Sequence, residues 1–208
     1  MEKVKLNGVD EDVLREIGNI CMGNAATALS QLFNKKVEIE IPEIYFLPVE
    51  KVPEKVGKDE LVVGLVVKVL GDLPGVLLII FSQRDALNLS FLMTQRRPSD
   101  GGVITELERS VLKEIGVILS GAYLGALSTF LQRGLVPRVP ELIEDMAEAM
   151  MDYILIELCN VSKYALVIKS EFREITTKIT GHFFLIPNPQ GLEIILEALK
   201  YNWNFLKK

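Results

Sequence analysis

One segment of the chain occurs twice. The stretch LREIGNICMGNAATAL at residues 14–29 returns as LKEIGVILSGAYLGAL at residues 112–127. The offset of about 98 residues aligns Glu16 with Glu114 and continues without a gap beyond the end of the segment. This period is much longer than the roughly 20 to 50 residues of solenoid repeats. The duplication therefore predicts two units that together form one pseudo-symmetric body.

The later part of each unit also repeats, in a shifted register. GVLLIIFSQ from Gly75 matches GHFFLIPNP from Gly181, and a helix-like segment follows each of them, ALNLSFLM and LEIILEAL. We therefore expect one domain, residues 1–208, made of repeats at about 8–98 and 106–203. The predicted fold class is α/β in the broad sense (α+β), an antiparallel sheet flanked by helices. Each half has a long helix followed by strands and a second helix.

Short apolar runs rich in β-branched residues and bounded by Gly or Pro predict the strands. These runs are VEIEI, LVVGLVVKV, GVLLIIF, YALVIKSEF and GHFFLI. Residues 68–75 contain Gly71 and Gly75 around Asp and Pro, which predicts a hairpin connection. The GGVI sequence near Gly101 marks the junction between the halves.

The halves differ between Pro140 and Asn160. Apolar residues there follow helical spacing, which predicts an additional or longer helix in place of the extended segment KVPEKVGKDE of the first half. The residues that carry this spacing are Leu142, Met146, Ala149, Met150, Tyr153, Ile154 and Glu157.

Composition narrows the function classes. A chain of 208 residues with 49% apolar and 25% charged residues has an ordinary globular composition. The net charge of -5 and the pI near 5.1 argue against a nucleic-acid-binding protein, whose phosphate contacts need a basic face. We therefore expect no nucleic-acid partner.

Cysteine usage and apolar run length indicate the compartment. The two cysteines, Cys21 and Cys159, lie in apolar segments without a CxxC or Cys/His cluster, so we expect a reducing compartment and no metal site. The N-terminal sequence lacks the features of a signal peptide. The longest apolar runs, such as residues 62–67 and 76–81, are far shorter than the roughly 20 residues of a membrane span. These observations predict a cytoplasmic protein without membrane contact.

Both copies of the repeated helix are amphipathic at 100° per residue. In the first copy the predicted inner stripe is Leu14, Ile17, Cys21, Ala25, Ala28 and Leu32, and the outer side carries Asp12, Glu16, Asn19, Gly23 and Ser30. In the second copy the inner stripe is Leu112, Ile115, Leu119, Tyr123, Ala126 and Phe130, and the outer side carries Ser110, Glu114, Val117, Gly121 and Ser128. Glu16 and Asn19 therefore point outward together, one turn apart.

Two interpretations of this outer side are open. Glu16 and Asn19 are ordinary solvated residues in the first, and Gly18 and Gly116 serve helix packing. In the second, Asn19 is functional, because Asn is an unfavourable residue within a helix. Gly23 and its counterpart in the second copy each cost about 1 kcal/mol relative to Ala, which a close approach of a partner or a neighbouring element would explain.

The stretch EIGNICMGNAATALS resembles the signature helix of the CheC, CheX and FliY family of chemotaxis phosphatases. The family motif is Asp or Ser, three residues, Glu, two residues, Asn, and then small residues. Asp12, Glu16, Asn19 and Asn24 fit it, and Ser110 starts it again in the second half. The duplication and the segment PELIEDMAEAM resemble CheC more than the shorter CheX.

The resemblance implies removal of the phosphoryl group from the aspartate of phosphorylated CheY. It implies that Asn19 positions the attacking water and that Glu16 docks on a lysine of the regulator. The chain then needs no cofactor of its own, and Mg²⁺ is expected in the partner regulator. Glu114 and Val117 form a degenerate second site, because valine has no hydrogen-bonding group with which to hold water.

Other interpretations also stay open. CheC-like proteins bind the receptor deamidase CheD, here through a helix expected at residues 141–151 with Asp145 at the contact. Met146, Met150 and Met151 suit an adaptable interface if they are exposed, although they can equally pack on the sheet. A flagellar switch component is a weaker hypothesis, because 208 residues leave no room for a further domain. His182, within a strand, is interpreted as a structural residue.

Overall fold

The computed structural model describes residues 8–51, 54, 60–96, 103–157, 164–174 and 177–188, together with 190–191, 193–195 and 197–198. The predicted junction at residues 97–102 lies outside the described residues, and so does most of KVPEKVGKDE. Four helices are bounded as α1 (Gly8–Phe33), α2 (Gln83–Thr94), α3 (Glu106–Leu131) and α4 (Ala147–Glu157), and the described positions in 190–198 are helical. The strands are β1 (Val37–Pro48), β2 (Leu61–Gly71), β3 (Gly75–Ser82), β4 (Leu135–Pro137), β5 (Glu141–Met146), β6 (Tyr164–Glu174) and β7 (Thr177–Pro187), and a short 3₁₀ turn, Val49–Lys51, follows β1.

All the strands belong to one antiparallel sheet. Its order is β1, β6, β7, β3 and β2, and β5 and β4 pair one after the other with successive stretches of the outer edge of β2. The predicted strands lie within β1, β2, β3, β6 and β7, and the predicted hairpin joins β2 to β3. The α+β fold class, an antiparallel sheet flanked by helices, is confirmed.

The centre of the sheet pairs β3 with β7. Leu78 lies opposite Phe184, the residue that the sequence match from Gly75 to Gly181 assigns to it as counterpart. A two-fold axis between two strands places matched residues opposite each other, as Leu78 and Phe184 are. The bounds of α1 and α3 also differ by 98 residues at both ends. We propose on these grounds that residues 8–98 and 106–203 are two repeats.

The sheet is covered on both faces. Alternate residues of β2 point to opposite sides, so Val63 and Leu65 join one core and Val62 and Val66 join the other. Helices α1, α2 and α3 contribute to the first core, whose helical members from α1 are Ile17, Cys21, Met22, Ala25, Leu29 and Phe33. Helix α4 covers part of the second face through Ala147, Met150 and Met151. The inner side of α1 thus includes Met22, Leu29 and Phe33 beyond the prediction, whereas Ala28 and Leu32 are only half-buried.

The helix predicted between Pro140 and Asn160 is wrong in its first part. Residues 141–146 form β5, which pairs with β2 from Glu141 opposite Val66 to Met146 opposite Leu61. Neighbouring residues of β5 pack against different cores, Leu142 on the first and Ile143 on the second, which a strand permits. The helix starts only at Ala147.

Of the two interpretations of the methionines, packing on the sheet is confirmed for two of the three. Met150 and Met151 are fully buried in the second core, whereas Met146 is 40% exposed. The Met150 sulfur occupies the space that a side chain at Gly64 would need, which explains a glycine within a buried strand. Met150 and Met151 therefore pack on the sheet.

One described helix, α3, is long and apolar enough by length and composition to cross a membrane. Its sequence contains no long uninterrupted apolar run, because glycines and small residues divide it. In the folded chain the apolar side of α3 lies in the first core, where Leu112, Ile115, Leu119 and Tyr123 are fully buried.

Gly71 ends β2 at a position that other residues rarely adopt. Its φ is +103°, and a Cβ there would collide with the backbone carbonyl of Gly134. We expect Gly71→Ala to lower the free energy of unfolding by about 1–3 kcal/mol, because both strain and collision oppose the side chain. Urea denaturation measures this loss, and a variant as stable as the wild type would contradict the assigned turn.

Candidate functional site

Glu16 and Asn19 lie together on the exposed side of α1. Both side chains are exposed, while Ile17 and Gly18 between them are buried. A spacing of three residues places the carboxylate and the amide one helical turn apart. Asp12 belongs to the same helix, one turn before Glu16, but its side chain is not among the described ones. The structure thus brings a carboxylate and a neutral amide to one surface, as the sequence predicts.

The corresponding surface of α3 carries a carboxylate and a valine. Glu114 is exposed, and Val117 is 42% exposed although Ile115 and Gly116 between them are buried. Ser110 is exposed one turn earlier, where its hydroxyl donates to the backbone carbonyl of Glu106 at 2.9 Å. The second surface therefore matches the first in geometry and lacks the amide.

The glycines of these helices divide into two groups. A Cβ at Gly116 would lie 3.1 Å from Leu65 and 3.2 Å from Pro140, so this glycine serves packing on the sheet. A Cβ at Gly23, Gly121 or Gly125 would meet nothing within 4 Å. Within the described part of the chain, no neighbouring element approaches these three exposed positions closely.

A groove runs between α1 and α3, and its first lining residue on α1, Ile20, follows Asn19 in the chain. It has a volume of about 540 Å³ and is lined by Ile20, Asn24, Gly121, Ala122, Gly125, Ala126, Thr129 and Phe130. The Asn24 amide donates to the backbone carbonyl of Ile20 at 2.8 Å, which holds this side chain against its own helix. Asn24, predicted as a supporting residue, therefore lies on the wall of the groove. The groove was not predicted from the sequence. The signal that could have indicated it is the pair of glycines four residues apart in α3, Gly121 and Gly125.

The groups beneath the site are suited to packing. Burial raises the pKa of the Cys21 thiol to about 12, so this free cysteine is a neutral core residue rather than a nucleophile. Burial also raises the pKa of Tyr123, which packs against Phe183 with ring centroids 5.9 Å apart. Cys159 lies outside the described residues.

His182 lies in the central strand β7 and points to the second face of the sheet, opposite to the face on which α1 packs. Its ring stacks on that of Phe184 with centroids 6.1 Å apart, and it pairs with Ile80 across the sheet. Across the residues that the structure describes, no group of three or more His, Cys, Asp and Glu side chains could hold a metal ion.

Asp145 is not part of the surface around Asn19. It is exposed on β5 opposite Val62, on the face of the sheet that α4 covers, and its carboxylate accepts from the backbone of Met146 at 2.7 Å. Helix α1 packs on the opposite face. Beside Asp145, Glu144 points to the first face, where it forms an ion pair with Arg109 of α3.

Comparisons with known proteins establish the family. Residues 9–45, which contain both Glu16 and Asn19, match the profile of the CheC-like family. The chain is 30% identical over 201 residues to the CheY-P phosphatase CheC of Bacillus subtilis, a match that covers 93% of this chain and 96% of the relative. The chain belongs to the CheC-like family.

Solved structures confirm the fold of this CheC-like chain. FliY of Thermotoga maritima superimposes with a TM-score of 0.78 at 18% identity, covering 94% of this chain and 98% of FliY. CheX of Borrelia burgdorferi, in a complex with CheY, BeF3 and Mg²⁺, gives a TM-score of 0.52 at 15% identity, covering 82% of this chain and 96% of CheX. At these identities the likeness concerns the fold alone.

Alanine variants of two glycines of α3 test whether side chains on the exposed side of this helix are free of contacts with the rest of the protein. Gly121→Ala should raise the free energy of unfolding by about 1 kcal/mol, because alanine favours the helix and its Cβ meets open space. Gly116→Ala should lower it, because its Cβ is pressed against Leu65 and Pro140. Urea denaturation of both variants measures the difference, and a loss of stability in Gly121→Ala would contradict the described surface.

Proposed function

We propose that this chain hydrolyses the aspartyl phosphate of the phosphorylated regulator CheY and that Asn19 positions the attacking water. The observation that carries the proposal is the exposed pair of Glu16 and Asn19 on α1, inside the segment that matches the CheC-like profile. The Bacillus subtilis relative, similar over nearly the whole chain, is a CheY-P phosphatase.

The chemistry explains why an amide suffices. An aspartyl phosphate is already activated, so the hydrolysis needs a water molecule held in line with the bond between phosphorus and the aspartyl oxygen. The Asn19 amide has a carbonyl that accepts from water and an NH₂ group that donates. The water oxygen bonds to phosphorus, the bond to the aspartyl oxygen breaks, and the products are inorganic phosphate and a free carboxylate. The Mg²⁺ ion that neutralises the phosphoryl oxygens belongs to the regulator.

Glu16 supplies the charge for docking. Its exposed carboxylate lies one turn from Asn19, where it can pair with a lysine beside the phosphoaspartate. An exposed ion pair is worth little in water, but the same pair gains strength when the interface removes water around it. This contact sets the register in which Asn19 meets the phosphoryl group.

The second helix keeps the charge and lacks the amide. Glu114 is exposed as Glu16 is, whereas Val117 offers neither donor nor acceptor to a water molecule. The proposal therefore assigns hydrolysis to the α1 surface alone, with Glu114 and Val117 as a degenerate second site. A cytoplasmic location follows from this proposed partner.

Phosphate release from phosphorylated CheY tests the one-site assignment. Asn19→Ala should lower the rate by at least about a hundredfold, because an unpositioned water rarely attains the in-line geometry. Glu114→Ala is the matched control on the other helix and should retain most of the activity. Comparable losses in both variants would contradict the one-site assignment.

A variant that adds the amide completes the experiment. The double variant Asn19→Ala, Val117→Asn should recover part of the lost phosphate release, because Glu114 and an amide would then stand one turn apart on α3. If the double variant releases phosphate no faster than Asn19→Ala alone, Val117 is not the reason that the second site is inactive, and this assignment is contradicted.

We also propose the deamidase CheD as a second partner, which binds at Asp145. The support is the exposure of Asp145 and Met146 on the edge strand β5, away from the catalytic surface. The buried Met150 and Met151 take no part.

A charge reversal tests this second contact. Asp145→Lys should weaken CheD binding by about tenfold or more, as loss of a central interface charge does, and leave phosphate release unchanged. Asp152→Lys reverses an exposed charge on α4 and serves as the control. Equal binding by Asp145→Lys and the wild type, measured by calorimetry, would exclude Asp145 from the contact.

A further inference from the structure

The groove between α1 and α3 begins at the residue that follows Asn19. Ile20, 41% exposed, and Asn24 form its wall on α1, and the wall on α3 combines small residues, among them Gly121 and Gly125, with Phe130. We propose that this groove receives a surface of phosphorylated CheY and that Gly125 of the second repeat is a specificity-determining residue for the reaction at Asn19. This inference rests on the proposed phosphatase function and names the surface with which the partner makes contact.

Continuity with Asn19 identifies the occupant. A specific complex buries roughly 800 Å² on each partner, far more than one carboxylate and one amide provide. A regulator that brings its phosphoaspartate to Asn19 therefore covers the adjoining residues as well. Ile20 is the next residue, apolar and exposed, and the groove extends from it towards α3. The regulator thus contacts both repeats while only one of them supplies the amide.

Two glycines of α3, Gly121 and Gly125, have no packing role among the residues that the structure describes. Gly121 and Gly125 are exposed and lie four residues apart, on one side of the helix. A Cβ at either position would meet nothing within 4 Å, in contrast to the tightly packed Gly116 of the same helix. Glycine within a helix is less favourable than alanine. Open space at these positions serves a partner that approaches the helix backbone closely.

The two repeats differ at the position of Gly125. The offset of 98 residues matches Gly125 with Thr27, an exposed residue of α1 whose hydroxyl donates to the carbonyl of Gly23 at 2.9 Å. Under the proposed duplication, the matching groove next to the second helix surface would carry Thr27 where the groove at Ile20 carries Gly125. The more open wall, with Gly125, therefore belongs to the groove that adjoins the segment with the Asn19 amide. In this proposal α3 contributes a wall to the site at Asn19, although its own surface lacks an amide.

A bulky side chain at Gly125 tests the groove. Gly125→Leu should raise KM for phosphorylated CheY by about tenfold and leave kcat within about twofold, because it obstructs docking without touching the water at Asn19. Binding of CheY activated with beryllofluoride and Mg²⁺, measured by calorimetry, should weaken by the same factor. Leucine favours the helix, so we expect the variant to remain folded, and its urea denaturation checks this.

Two control variants test whether Gly125→Leu acts by blocking the groove rather than by the substitution of any residue on these helices. Thr27→Leu places the same side chain at the matched position of the other repeat and should leave KM unchanged. Gly125→Ala removes the glycine with little added volume and should keep KM within about threefold of the wild type. A KM increase of equal size in Gly125→Leu and Thr27→Leu would overturn the role of Gly125.

The outcomes also separate this inference from the function on which it rests. If Gly125→Leu binds activated CheY as the wild type does, while Asn19→Ala still abolishes phosphate release, the groove proposal is overturned and the phosphatase proposal stands. If the wild type releases no phosphate but Gly125→Leu loses binding, the phosphatase proposal is overturned and the groove stands. If Gly125→Leu instead converts a dimer to a monomer in sedimentation, the occupant is a second copy of this chain and the proposal is wrong.

Discussion

The antiparallel pairing of β3 with β7 holds the structure together. Leu78 lies opposite Phe184 at its centre, and both side chains are completely buried in the second core, as are Ile79 and Phe183 in the first. Burial on both faces requires a layer of helices on each, which α1, α2 and α3 provide on one face and α4 on the other. The first core takes up the inner side of α1 and thereby determines which residues of that helix meet solvent. Glu16 and Asn19 are displayed because Ile17 and Cys21 are buried.

Much of this arrangement could be predicted from the sequence, for physical reasons that differ between elements. Strands such as β2 and β3 are short apolar runs because both of their faces are buried, and a helix packed on one side has an apolar stripe with period 3.6. The internal repeat added a second copy of the same helix for comparison. Through it, Glu16 and Asn19 could be singled out from one chain.

The parts that were missed depend on contacts between distant segments. In β5, ELIEDM followed by AEAMM fits helical spacing, and only pairing with β2 makes Glu141–Met146 a strand. Met150 is buried because Gly64, far away in sequence, leaves space for its sulfur. The groove between α1 and α3 likewise exists because the two helices lie side by side, so neither helix alone could indicate it. Spacing along the chain does not contain this information.

The two helices illustrate how little a phosphatase of an activated phosphate requires. The helices α1 and α3 have the same length, an outward carboxylate and the same packing on the sheet. Under the proposed mechanism, the chemical difference that matters is one side chain, because α1 carries the amide of Asn19 where α3 carries Val117. The proposed reaction uses water as the nucleophile and needs no nucleophilic side chain of this protein, because the regulator is proposed to supply the activated bond and the metal. The protein contributes position, which a helix packed on a sheet with a buried centre provides.

A structure of this chain bound to CheY activated with beryllofluoride and Mg²⁺ tests the central claim most directly. We expect the Asn19 amide to lie about 3 Å from a water molecule in line with the bond between beryllium and the aspartyl oxygen, with Glu16 paired to a lysine of the regulator. A complex in which the beryllofluoride group faces α3, or in which Asn19 lies beyond reach of any such water, would contradict the role proposed for Asn19.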